Sequence, residues 1–223
     1  MTIDEVTVSS HGTPGGLANY SIGQTVHGAA LFIDVRKSSQ IVDFVERHHG
    51  PGAATSLFMN FLVGVMSTID GPAVYESGPS GDAVLALFVG ETCASDAIDA
   101  ALRAIEYLST DFLKANRHHL TCLGNCGVRE CPTPSAFRVG AGVDNGAVTS
   151  ARVHVGKHES VQLVGACISF ASKLSGAAPP NTVAVSTGTF HQFPALAKDY
   201  RWESREMVVG NNERMVMLVD PSR

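Results

Sequence analysis

The chain has 223 residues, enough for one domain of helices and strands, and folding at this length buries roughly 70% of the surface that the unfolded chain exposes. Its net charge is −5 and no basic run is available to neutralise phosphates, which argues against nucleic acid as the main partner. No apolar stretch could span a bilayer, no secretion signal begins the chain, and five cysteines indicate reduced thiols, so we expect a cytoplasmic protein without a membrane partner.

The first half of the sequence mixes strand and helix patterns. A continuous apolar run predicts a strand at 29–35 that is buried on both faces. Apolar residues at helical spacing predict helices over 39–47 and 53–69. Segments 73–77 and 82–89 then resemble two strands joined by a glycine-rich turn, which predicts a β-hairpin.

The second half predicts a long helix over 94–113 and a later helix over 167–175. Strands are predicted at 137–143, from 146, at 182–186, 207–209 and 214–219. No repeat and no low-complexity linker divides the sequence. The order of elements predicts a single α+β domain, a sheet with helices packed against it, with a core over about 27–220 after an N-terminal extension of residues 1–26.

The first candidate site lies in FIDVRKSSQIV, residues 32–42. Asp34 stands at the end of the buried strand, and Ser38 and Ser39 begin the following helix. The unpaired N–H groups of a helix start can bind an anion, and Asp34 can hold a divalent cation that the same anion also contacts. The alternative is structural, with a serine capping the helix and Asp34 as a solvated strand end.

The second candidate site lies in SGPSGDAVLALF, residues 77–88. Asp82 enters a strand from a tight turn, where Gly81 permits close backbone approach. Aspartate is common in turns, so Asp82 alone would be a structural residue. Two carboxylates at adjacent strand ends can instead bridge two metal ions, which makes Asp34 and Asp82 a candidate two-metal site.

One group of cysteines and histidines is a candidate zinc site. Cys122, Cys126 and Cys131 follow His118 and His119, but their spacing lacks the paired C-x2-C of structural zinc sites. We therefore expect a loop with reduced thiols. The His48–His49 pair is expected at a helix end near solvent.

Four motifs in this order resemble the catalytic domains of class III adenylate and guanylate cyclases. They are FIDVRKSS, SGDAVLALF, RVGAGVDNGAV at 138–148 and VQLVGACISFASKLSGAA at 161–178. The resemblance implies a ferredoxin-like α+β fold, with a central, mostly antiparallel sheet and helices packed against it. It also implies closure of a nucleoside triphosphate into a 3′,5′-cyclic monophosphate, with release of pyrophosphate.

The resemblance further implies the roles of individual residues. Asp34 and Asp82 would ligate two Mn²⁺ or Mg²⁺ ions, with the carbonyl of Val35 as a further ligand. The backbone amides that would hold the β- and γ-phosphates are those of Lys37, Ser38 and Ser39.

Relatives carry an Asn and an Arg where this chain has Ser169 and Lys173. Ser169 could still bond the ribose, and Lys173 could still supply charge to the α-phosphate, although lysine lacks the planar fork of arginine. The alternative for Lys173 is a solvated helix residue. Arg138 is a candidate phosphate ligand, because many relatives carry an arginine on this strand face.

The residues that read the base depart from those of adenylate cyclases. The usual Lys and Asp are replaced by Gly78 and Gln162, which removes the reason to expect ATP. Gln162 can donate and accept, so it suits a uracil, cytosine or guanine edge. Phe32 could narrow the pocket against purines, or it could simply pack in the core.

These departures resemble the stand-alone bacterial pyrimidine cyclases of the Pycsar anti-phage system. That resemblance implies UTP or CTP as substrate, manganese, cyclic UMP or cyclic CMP as product, and a separate effector that senses the product. It also implies a homodimer whose active sites combine residues of both subunits. The alternatives are an adenylate or guanylate cyclase, and a nucleotide-binding cyclase homologue that has lost turnover.

Overall fold

The computed structural model describes residues 6–8, 18–122, 137–155 and 158–219, and the structural statements below concern these residues. Their strands are β1 (Val6–Val8), β2 (Ala18–Val35), β3 (Val74–Ser80), β4 (Ala83–Val89), β5 (Val139–Val155), β6 (His158–Val164), β7 (Thr182–Ser186), β8 (Trp202–Val209) and β9 (Asn212–Val219). The helices are α1 (Ser38–His49), α2 (Ala53–Ile69), α3 (Cys93–Tyr107), α4 (Leu113–Asn116), α5 (Ala166–Ala177), α6 (Thr187–Gln192) and α7 (Leu196–Asp199). A π-helical turn, Leu108–Phe112, joins α3 to α4.

All described strands belong to one sheet of order β3-β4-β2-β5-β7-β9-β8, with β1 paired to β2 and β6 paired to β5. Strands β5 and β7 are parallel, and the other described pairs are antiparallel. A parallel pair needs a crossover connection, which β6 and α5 supply between β5 and β7. The sheet is therefore mostly antiparallel, with one crossover.

Strand β2 is buried on both faces because its side chains alternate between two cores. Leu31 and Ile33 pack with the apolar faces of α1, α2 and α3. Ala30 and Phe32 point the other way and pack with α5 through Ala171. This two-sided burial explains the continuous apolar run in the sequence.

Helix α5 approaches β5 closely at Gly142. A Cβ atom at Gly142 would lie 2.1 Å from the carbonyl oxygen of Ala171 and 2.4 Å from the backbone nitrogen of Ser175. No larger residue fits there unless α5 moves, so the glycines of β5 set the distance between helix and sheet.

Several predicted elements are confirmed. The bounds of α2 agree with the predicted 53–69, β7 with the predicted 182–186, and β3 and β4 form the predicted hairpin. Strand β2 begins at Ala18 and is longer than predicted. Its first half pairs with β5 but lacks the apolar run from which the strand was predicted.

Two predictions are wrong. The two strands predicted at 137–143 and from 146 are one strand, β5. Residues 144 and 145, between the two predicted strands, pair with Ala30 and Ala29 of β2. The Thr189 hydroxyl also donates to the Asp144 carboxylate at 3.1 Å and accepts from the Asn145 N–H at 2.9 Å. The helix predicted over 94–113 changes at Leu108 into the π-helical turn, which buries both Leu108 and Phe112.

The cysteine loop is described only as far as Cys122, which is half-buried; Cys126 and Cys131 lie outside the described residues. Among the described helices, none combines the length and apolar character needed to cross a membrane.

Candidate functional site

Asp34 lies at the end of β2 on the face that carries α5. It is opposite Gly140 of β5 and two residues after Phe32, which packs against the α5 cluster. The side chain of Asp34 is only partly exposed. A carboxylate is thus held between the end of the sheet and the C-terminal end of α5.

Asp82 lies beside Asp34 in the β3–β4 turn. Gly81 provides the turn with a positive φ of 66°, and Asp34 pairs with Ala83, which puts Asp82 opposite Val35 in the next register position. The pKa of Asp34 is raised by burial and then by the negative charge of Asp82, while Arg36 and the Val35 N–H act in the opposite direction. The structure therefore brings the two predicted carboxylates into one acidic site.

The backbone of Val35 faces this acidic site. The Arg36 N–H donates to the Arg138 carbonyl at 2.8 Å, so Val35 stands opposite Val139 without bonding to it. In an antiparallel ladder such a residue turns its carbonyl to the other neighbour, here the β4 side where Asp82 lies.

The start of α1 presents backbone N–H groups next to Asp34. Lys37 has a left-handed conformation with φ 57°, and no side chain caps the helix that begins at Ser38. Lys37 and Ser39 are exposed, and Ser38 is partly so. Uncapped N–H groups and the positive end of the helix dipole suit an anion.

Arg36 holds the C-terminal end of α5 against the same site, a contact that the sequence did not reveal. Its guanidinium donates to the carbonyl oxygens of Gly176 at 2.9 Å and Ala178 at 2.5 Å, and also to that of Ser175. Burial lowers the pKa of Arg36, which the charge of Asp34 opposes. The motif around Asp34 therefore both carries the carboxylate and fixes α5.

Ser169 and Lys173 lie on the exposed face of α5. The side chain of Lys173 lies over Gly210 in the β8–β9 turn. Within one chain Lys173 therefore lies against the β8–β9 turn, which belongs to the edge of the sheet away from β2 and β4.

Gln162 is far from Asp34 within the chain. It pairs with Ala151 of β5, whereas Asp34 pairs with Gly140, eleven positions earlier on the same strand. At about 3.3 Å per residue, these positions are roughly 30–36 Å apart. Gln162 is exposed, as is Arg138, which directly precedes β5.

A second partly buried carboxylate, Asp144, was not predicted from the sequence. It accepts from the Ser186 hydroxyl at 2.5 Å and the Thr189 hydroxyl at 3.1 Å. Burial raises its pKa, which these hydrogen bonds partly offset. Its partners come from β7 and α6, so no local pattern could have indicated the contact.

The donor set at Asp34 and Asp82 fits divalent cations. Across the described ranges, no three His, Cys, Asp or Glu side chains are grouped to hold an ion. Two carboxylates and a backbone carbonyl would therefore leave positions for water or phosphate oxygens, which is how proteins usually hold Mg²⁺ beside a triphosphate. The mutual repulsion of the two carboxylates is what a bound cation would relieve.

Comparisons with known proteins agree on the fold. No protein-family model matches the chain, and the search of curated proteins found no match to its sequence. Among solved structures, the adenylyl cyclase CyaB from P. aeruginosa is similar with a TM-score of 0.69 at 16% identity, covering 90% of this chain and 96% of that one. A bacterial light-regulated adenylyl cyclase has a TM-score of 0.61 at 18% identity, covering 90% and 93%.

The guanylate cyclase domain of RhGC from Catenaria anguillulae, solved in complex with GTP, has a TM-score of 0.58 at 15% identity, covering 88% and 97%. The expected α+β fold with its mostly antiparallel sheet is thereby confirmed. The chain has the fold of the catalytic domains of adenylyl and guanylyl cyclases.

Proposed function

We propose that the chain is a nucleotidyl cyclase that closes a nucleoside triphosphate into its 3′,5′-cyclic monophosphate. The observation that carries the proposal is the pairing of Asp34 with Asp82 beside the uncapped start of α1. The solved structures with the same fold are adenylyl and guanylyl cyclases.

Asp34, Asp82 and the Val35 carbonyl would hold two divalent cations, Mn²⁺ or Mg²⁺. Such ions, when bound, lower the pKa of a coordinated hydroxyl and neutralise a departing pyrophosphate. The amides of Lys37, Ser38 and Ser39 would orient the β- and γ-phosphates at the helix start.

The reaction forms one bond and breaks one. The ribose 3′-oxygen bonds to the α-phosphorus, and its proton passes to solvent. The bond between the α-phosphorus and the oxygen that bridges the α- and β-phosphates breaks, and pyrophosphate leaves. Arg138 and Lys173 would add positive charge around the phosphates, and Ser169 would bond the ribose.

We infer a homodimer with composite active sites. Gln162 is roughly 30–36 Å along the sheet from Asp34, and Lys173 and Ser169 are exposed on α5. A second subunit would bring these three residues to the carboxylate pair. A C2 dimer would then contain two equivalent sites.

The proposed substrate is a pyrimidine nucleotide, UTP or CTP. Gly78 and Gln162 offer neither the lysine donor nor the carboxylate acceptor that reads adenine. Phe32 stands two residues before Asp34 on the same face, where it could exclude a purine while packing with α5. By analogy with the Pycsar enzymes, the product would act as a second messenger for a separate effector in anti-phage defence.

A purine cyclase is the second candidate, because the solved structures that share the fold act on purine nucleotides by name. Loss of turnover is the third, because Ser169 and Lys173 replace the usual Asn and Arg.

Incubating the purified chain with ATP, GTP, CTP and UTP separately, each with Mn²⁺, tests the proposal. We expect cyclic UMP or cyclic CMP by mass spectrometry, and none after chelation of the metal. Cyclic AMP or cyclic GMP as main product would overturn the pyrimidine assignment only. Absence of every cyclic product from a folded dimer would overturn cyclase activity.

A further inference from the structure

Four histidines from two distant segments meet at the far end of α1 from Asp34. His48 and His49 are in the last turn of α1, and His118 and His119 lie in the turn after α4. The ring centres of His49 and His119 are 5.8 Å apart with an interplanar angle of 82°. His118 lies 4.0 Å from His119, and His48 lies 6.3 Å from His49.

The backbone on both sides of this histidine cluster is fixed. The Glu46 carboxylate accepts from the Gly52 N–H at 3.0 Å, which closes the turn after α1. The His119 N–H donates to the carbonyl of Asn116 at 3.0 Å, and Asn116 is itself buried and accepts from Asn60 at 2.9 Å. The two rings are therefore presented to each other by rigid segments.

Two ring nitrogens in the cluster are shielded from solvent without a hydrogen bond. They are Nε2 of His49 and Nδ1 of His119, which have no hydrogen-bond partner within the described part of the chain. Buried polar atoms are nearly always bonded, so such a pair calls for an explanation. The pKa of His119 is lowered by burial and by the neighbouring His118 and His49, which favours the neutral ring that can ligate a metal.

The spacing of the rings fits a shared ion. A metal–imidazole bond is about 2.0–2.1 Å long, so two imidazoles on one tetrahedral ion have ring centres about 5 Å apart. The observed 5.8 Å between ring centres is within about 1 Å of that value. The cluster does not contain three ligands already in place, since the described residues show no such group.

We propose that His49 and His119 bind a divalent transition-metal ion of the Zn²⁺ or Ni²⁺ class through these two nitrogens, with water or His118 in the remaining positions. The site is separate from Asp34 and Asp82, because the 12 residues of α1 put about 18 Å between them. The ion would tie the end of α1 to the segment after α4 and stabilise the helical layer. The inference does not depend on cyclase activity.

Thermal unfolding of the full chain tests the site, in an Asp34→Ala/Asp82→Ala background that removes the other candidate metal site. Adding Zn²⁺ or Ni²⁺ to metal-free protein should raise Tm by about 5–10 °C when the ion is at 100 times its Kd. His49→Gln and His119→Gln should each abolish the rise. His191→Gln, at an exposed position of α6, is the matched control and should keep it.

No rise in Tm up to millimolar metal, or a rise that survives in both Gln variants, would overturn the proposal. A second measurement needs neither Gln variant: the NMR signals of the histidine ring nitrogens in isotopically labelled protein. Zn²⁺ should shift the signals of His49 and His119 more than those of His191. Equal shifts for all three would contradict the site.

Discussion

At the residue scale, Asp34 is a carboxyl group whose surroundings favour its neutral form. Burial and the charge of Asp82 raise its pKa, and they outweigh Arg36 and the Val35 N–H. A raised pKa in the folded state gives stability that is present at low pH and is lost as the pH rises through that pKa. At neutral pH the ionised Asp34 therefore destabilises the metal-free fold.

Asp34→Asn should consequently raise the Tm of metal-free protein at pH 7. We expect at most about 2–4 °C, because solvent screens a half-exposed group. The difference from wild type should disappear as the pH falls below the ordinary aspartate pKa, where Asp34 is protonated. Thermal scans across pH check this, with the exposed Asp70→Asn as control; a lower Tm for Asp34→Asn at pH 7 would contradict it.

The sequence predicted the two carboxylates but not what surrounds them. Asp34 stands at the end of one apolar run and Asp82 at the start of another, so the apolar runs were enough to locate them. Arg36 gave no such signal, because the carbonyls it binds come from residues 175–178, more than 130 positions later. A contact between one side chain and distant residues produces no periodic pattern in the sequence.

At the element scale, the packing of α5 on β5 depends on Gly142. Gly142→Ala would push a methyl group against the backbone of α5 at Ala171 and Ser175. We expect a loss of about 1–3 kcal/mol, or roughly 2–10 °C in Tm. The control is Gly176→Ala on α5 itself, where a Cβ would meet nothing within 4 Å, and it should leave Tm unchanged or higher. Equal Tm values for the two variants would show that α5 is not tightly seated.

Sequence patterns predicted the helices and strands whose formation depends on neighbouring residues. Helix α2 was predicted correctly from its apolar spacing, and the hairpin of β3 and β4 from its glycine-rich turn. The continuous strand β5 was not predicted, because the contacts of Asp144 and Asn145 with Ser186 and Thr189 are long-range. Those hydroxyls belong to β7 and α6, more than 40 positions later in the chain.

At the scale of the whole molecule, Gln162 is separated within one chain from the two carboxylates. Asp34 and Asp82 lie at one end of the sheet, Gln162 on the distant part of the β5–β6 hairpin, and Lys173 on the exposed side of α5. The sequence predicted a composite site only through resemblance, since spacing cannot show which residues meet across an interface.

Mixing two inactive variants tests this arrangement. Asp34→Ala and Lys173→Ala homodimers should each be inactive, whereas a heterodimer would keep one intact site. Equal mixing makes half of the dimers heterodimers, and each heterodimer has one working site of its two. About one quarter of the wild-type activity should therefore return. Heterodimers that form without recovered activity would indicate a site built within one subunit.

The central claim is that Asp34 and Asp82 together hold the ions that make cyclisation possible. The most direct measurement is the rate of cyclic nucleotide formation, from the best of the four triphosphates with Mn²⁺, in wild type, Asp34→Asn and Asp82→Asn. We predict a loss of at least about 10²–10³-fold in each variant, with unchanged circular dichroism. A folded variant that keeps its rate within about tenfold of wild type would contradict a site in which both carboxylates bind the metal.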